Sequence, residues 1–123
     1  MSKIVIDELG ICQKFERWQR DHYNFITPDL VKCRGIGEKY IVELSGGSGL
    51  NGERIYGVTL LKKEDDGFST DVGNNIGVNK AVFSRGEAEE YFNKVSSAVE
   101  KCHFIDDEKE FEACVDRKLE REE

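Results

Sequence analysis

The chain has 123 residues, 38% of them hydrophobic and 35% charged, with a single proline, which is the composition of one globular domain and not of a linker or low-complexity tail. A net charge of −7 and a pI near 5.0 set its surface against phosphate backbones, so no DNA or RNA polymer is expected as a partner. The charge is uneven, since residues 12–39 carry six basic side chains against four acidic and residues 106–123 carry nine acidic against four basic.

Ile4–Ile6 is the first apolar run, short enough for one strand, and Asp7 and Glu8 follow it. This opening has the pattern of neither a secretory signal nor a transit peptide, and no apolar run reaches membrane-spanning length. The expected location is therefore the cytoplasm, that of the host cell if the chain is phage-encoded, with no membrane partner. In residues 11–26, Ile11, Phe15, Trp18 and His22 recur at four- and three-residue steps, predicting a short N-terminal helix that Thr27-Pro28-Asp29 ends. Leu30 to Gly37 is ambiguous between helix, strand and loop.

Tyr40–Ser45 predicts a strand, followed by a glycine-dense loop over 46–52. Arg54–Lys62 alternates Tyr56, Val58 and Leu60 with Ile55, Thr59 and Leu61, the two faces of a second strand. Asp65-Asp66-Gly67 is a turn by composition, and strands are expected over Phe68–Val72 and Ile76–Phe83, parted by Gly73-Asn74-Asn75. Ser84-x-x-Glu87 is a capping box, and behind it Ala88, Tyr91, Phe92, Val95, Val99 and Cys102 form one helical apolar stripe. A last helix starts near Asp106 or Asp107 with a thin stripe of Phe111, Cys114, Val115 and Leu119. The expected fold is a single α+β domain over 1–123. It has an antiparallel sheet of four to five strands with two C-terminal helices packed on it.

Catalytic signatures are weak. Gly47-Ser48-Gly49-Leu50-Asn51-Gly52 matches G-x-G-x-x-G, yet the segment after it is β-like where a dinucleotide site needs a helix, so a hairpin loop is the expected reading. Cys12, Cys33, Cys102 and Cys114 would permit two disulfides in an exported protein; with no export signal they are expected as buried, reduced thiols. No C-x-x-C is present, Cys102-His103 with a distant His22 lacks zinc-ligand spacing, and no EF-hand pattern surrounds the acidic pairs, so neither metal nor cofactor is expected. Trp18, His22, Tyr23 and Phe25 beside Arg17 and Arg20 are either a core helix with polar flanks or a surface for stacking bases.

Four residues carry a binding reading. Arg117 and Arg121, four apart, share one helix face and form either a solvated face or a guanidinium clamp for phosphate. Asn93 lies opposite the apolar stripe of its helix and could read a base or ribose edge. Phe83, one residue before the helix cap, is either a stacking plane or a core anchor.

A short chain with a sheet followed by two C-terminal helices, Phe83 at a strand end, Asn93 ten residues later and the Arg117/Arg121 pair resembles the phage anti-Thoeris sponge family over residues 40–123. Those proteins sequester the cyclic ADP-ribose isomers that bacterial TIR-domain enzymes make during anti-phage defence. The resemblance implies non-enzymatic capture of such a ligand by Phe83, Asn93, Arg117 and Arg121, in pockets between the subunits of a symmetric homo-oligomer. It also allows a second site for cyclic oligonucleotides, for which His22 and Arg34 are the candidates. Two rivals stand beside it. One is an acidic protein–protein interaction module or inhibitor acting through the C-terminal helix, with Glu108, Glu110, Glu112, Glu120, Glu122 and Glu123. The other is a small hydrolase using His22 or His103.

Overall fold

The computed structural model describes residues 4–6, 9–22, 29–48 and 51–121. The strands and helices below are those of the described residues. β1 (Ile4–Ile6) leads into α1 (Ile11–His22), which crosses over to β2 (Asp29–Ile36). The meander of β2, β3 (Tyr40–Ser48) and β4 (Arg54–Glu64) follows, then β5 (Gly67–Ser69), α2 (Asp71–Ile76), β6 (Lys80–Val82), α3 (Arg85–Cys102) and α4 (Glu108–Arg121).

The architecture is α+β, but the sheet is mixed and six-stranded, not purely antiparallel with four or five strands. β1 pairs in parallel with β2, Ile4 opposite Lys32 and Ile6 opposite Arg34. A parallel pair needs a long crossover, and α1 supplies it. β2, β3 and β4 pair antiparallel, while β5 and β6 share the far edge of β4, opposite residues 62–64 and 56–58.

The pleat of β3 sorts two cores. Tyr40, Val42 and Leu44 face α3 and α4, packing with Val58, Leu60, Phe92, Val95, Val99, Phe111 and Val115. Ile41 faces the other way, where Cys12 and Phe15 of α1 meet Cys33 and Leu61. Period-two alternation is what lets one strand serve both layers. Tyr40 and Phe111 stack with centroids 4.2 Å apart, which seats the thin stripe of α4 on the sheet instead of leaving it for a partner. Trp18 packs beside Phe15 and Phe68 in the second core, so the core reading of its segment holds; Tyr23 and Phe25 lie outside the described residues.

The Ser84 half of the capping box forms, Ser84 Oγ accepting from the Glu87 N–H at 3.4 Å. Two expected strands are corrected. Phe68–Val72 is strand only to Ser69, and Gly73-Asn74-Asn75 lies inside α2, not in a turn. A tertiary clasp overrides the low helix propensity of Asp71–Ile76. Asn79 Oδ1 accepts from the Leu60 N–H at 2.8 Å, and Asn79 Nδ2 donates to Asn74 Oδ1 at 2.8 Å. A Cβ on Gly73 would come within 2.3 Å of Asn79 Oδ1, so only glycine lets the clasp close. The strand expected over Ile76–Phe83 is reduced to Lys80–Val82.

The cysteines are buried as expected but are not free. Cys12 bonds Cys33, tying α1 to β2, and Cys102 bonds Cys114, tying α3 to α4. Spatial pairing that the chain order hides brings the Cα atoms to 6.3 and 5.9 Å. Paired cysteines are chiefly a mark of oxidising compartments, so the cysteines no longer support a reducing cytosol.

Candidate functional site

Val82 takes the last inward position of β6 against the core, and Phe83 follows it out to solvent with 72% of its surface exposed. Of the two roles open to Phe83, this placement removes the core anchor. The ring stands one residue before the Ser84 cap, beside the N-terminus of α3, where backbone N–H groups lack helical partners and the helix dipole is positive. Arg85 lies there too, paired with Glu89 one turn on at 3.6 Å.

Asn93 is exposed on α3, away from Ala88, Phe92, Val95 and Val99, which turn inward. Arg117 is exposed on α4 and makes no ion pair among the described residues. Arg121 ends α4, and its side chain lies outside the described ones. Phe83, Asn93 and Arg117 thus open separately onto solvent from three segments. None of them lines either cleft described next.

Arg34 is different. It stands on β2 opposite Ile6 and Val42, and its guanidinium reaches across to the Glu100 carboxylate of α3. This pair borders a cleft of about 270 Å³ whose other walls are Ile6, Leu9, residues 35–37 and His103. His103 Nδ1 donates to the Glu100 carbonyl at 2.8 Å, because a carbonyl can only accept; in the neutral ring Nε2 is then an acceptor. The ring lies close over Gly37, where a Cβ would sit 2.7 Å from His103 Cδ2 and where φ is +62°, so glycine is required twice over. A neighbouring cleft of about 240 Å³ shares Ile36, Gly37 and His103 and adds Lys39, Asp106 and the exposed Phe104.

His22 does not join Arg34. α1, which it ends, packs on the opposite face of the sheet from the Arg34–Glu100 pair, and the His22 side chain lies outside the described ones. Sequence reading missed Glu100 and His103 as neighbours of Arg34. Arg34 and Glu100 are 66 positions apart, and nothing local in the sequence signals their meeting.

A half-buried carboxylate also went unremarked. Glu43 sits mid-sheet on the α1 face, opposite Cys33 and Thr59, and burial pushes its carboxyl up to about 7 from an ordinary 4.5. Burial likewise raises Tyr40 to about 12, with Glu108, Glu64, Asp106 and Glu112 adding to it, and raises Tyr91, whose hydroxyl donates to the Val78 carbonyl at 2.7 Å.

Among the described residues no group of three or more His, Cys, Asp or Glu is placed to hold a metal ion, and no helix is long and apolar enough to cross a membrane. Compared with protein-family profiles, curated proteins and solved structures, the chain finds no match in any of the three.

Proposed function

We propose that the protein captures a compact phosphorylated signal of the cyclic ADP-ribose type without turning it over, and so antagonises the anti-phage defence that such signals trigger. The observation that carries this reading is the 72% exposure of Phe83 beside the N-terminus of α3. A purine stacks on such a ring, and base–aromatic stacking is worth about 1–3 kcal/mol. A phosphate then reaches the free amides of the helix end. Asn93 supplies an amide for ribose or base, and Arg117 and Arg121 supply guanidinium for the pyrophosphate. Because the described side chains face solvent singly, a second copy has to complete the pocket, which makes the working species a homo-oligomer. Its cytoplasmic location belongs to the same proposal.

The test is incubation of the purified protein with cyclic ADP-ribose isomers, followed by heat release and mass analysis. The intact isomer is expected back from the wild type, with capture lost in Phe83→Ala and weakened in Arg117→Ala. A hydrolysed isomer, or capture indifferent to Phe83→Ala, refutes the reading.

One observation favours a second reading. Asp106, Asp107, Glu108, Glu110 and Asp116 are all exposed on or just before α4, which a disulfide fastens to α3. An acidic helix fastened in this way suits an interaction module docking on a basic protein, in a compartment that keeps disulfides closed, although Asp106 and Glu108 already pair with Lys39 and Lys62. Binding of a basic partner that collapses with added salt, together with indifference to every cyclic nucleotide, would favour it.

A further inference from the structure

Phe83, Asn93 and Arg117 do not line the Arg34–Glu100 cleft, and its chemistry is different. We propose that it binds a free α-amino acid with an apolar side chain, held as a zwitterion. The cleft presents a cation, Arg34, and an anion, Glu100, already in contact on one wall. The two side chains keep 27% and 55% of their surface exposed, so the pair is open to solvent. An exposed pair of this kind contributes little to stability, so parting it costs little. A zwitterion placed between the two exchanges one ion pair for two, its carboxylate on Arg34 and its ammonium on Glu100. His103 Nε2 adds a second acceptor for the ammonium, since Nδ1 carries the proton given to the Glu100 carbonyl.

Part of the lining is apolar. Ile6, 45% exposed, and Leu9, 56% exposed, are among the lining residues. They offer cover to an aliphatic or aromatic side chain. Gly35 and Gly37 also line the cleft, with the His103 ring seated over Gly37. At about 270 Å³ the space is below the roughly 300–1,000 Å³ of pockets that enclose drug-sized ligands, and it suits a guest as small as one amino acid. A bare phosphate fits poorly, because Glu100 would have to swing away from Arg34 or face the anion directly.

The experiment is a titration of the intact chain, followed by amide resonances, with L-leucine, L-phenylalanine, N-acetyl-L-leucine, L-leucinamide and inorganic phosphate. Leucine and phenylalanine are expected to give saturable shifts at Gly35, Gly37 and His103. Each capped analogue should bind at least about tenfold more weakly, the loss of one charge-assisted contact. In Glu100→Gln, an exposed helix position whose folding a thermal melt checks, leucine should weaken about tenfold while N-acetyl-L-leucine gains, because Arg34 is released from its partner. No saturable shift with either amino acid overturns the proposal. So does leucinamide or phosphate binding as well as leucine, or a Glu100→Gln variant that keeps the wild-type order of ligands.

Discussion

Opening the two disulfides should remove much of the protein's stability, and each bond's share follows from the loop it closes. Cys12–Cys33 spans 21 residues and Cys102–Cys114 spans 12. Loop-closure entropy assigns the first about 3.3 kcal/mol and the second about 2.8 kcal/mol at 25 °C. Together they are roughly 6 kcal/mol, against about 5–15 kcal/mol for the whole of a small domain. Reduction should therefore take away between about two-fifths and all of that stability. The assay is urea unfolding of the oxidised chain, the reduced chain and the Cys102→Ser/Cys114→Ser variant, with thiols counted in denaturant. With a urea slope of about 1–3 kcal/mol per molar, loss of the shorter loop alone should lower the midpoint by about 1–3 M. The oxidised chain should show no reactive thiol. Four reactive thiols after air oxidation, or superimposed curves with and without reductant, would show that these pairs do not close.

Glu43 should make the fold weaker as pH rises. Its folded pKa, about 7, lies above the ordinary 4.5, so between these values the folded chain holds a proton that the unfolded chain has lost. Stability then falls through that window, by up to about 3 kcal/mol at about 1.4 kcal/mol per pH unit. Glu43→Gln should flatten that fall and raise the melting temperature at pH 8 but not at pH 4; an unchanged pH profile contradicts the assigned burial. Gly67→Ala tests the packing of α1, because φ there is +153° and a Cβ would meet Trp18 Nε1 at 2.2 Å. A loss of about 1–3 kcal/mol is expected in denaturant unfolding, and a neutral result would mean Trp18 is not seated on that turn.

What the sequence made legible was whatever repeats locally. The Ser84 cap and the stripe from Ala88 to Cys102 announce α3 without any knowledge of what it packs on. Alternation in Tyr40–Ser45 and Arg54–Lys62 announces β3 and β4. β2 was hidden because Lys32 and Arg34 break its apolar pattern. Their tolerance depends on distant groups, the Phe92 ring 5.0 Å from Lys32 Nζ and the Glu100 carboxylate beside Arg34. α2 was hidden for a similar reason, since Asn79 and Gly73 hold it by contacts that no propensity encodes. The parallel pairing of β1 and the two cysteine bonds depend on the crossover of α1 and on the α3–α4 turn. Both exist only once the chain is folded. In the candidate site, residue types pointed to stacking and guanidinium chemistry. Only the fold could show that Phe83 leaves the core and that Arg34 already has a partner.

Calorimetric titration of the purified protein with a panel of cyclic ADP-ribose isomers, run beside a solution mass measurement, tests the capture proposal most directly. The account predicts a tight, saturable heat for at least one isomer, ligand recovered unchanged, and a species of two or more copies whose binding vanishes in Phe83→Ala. A monomer that gives no heat with any isomer, or a ligand returned cleaved, would contradict it.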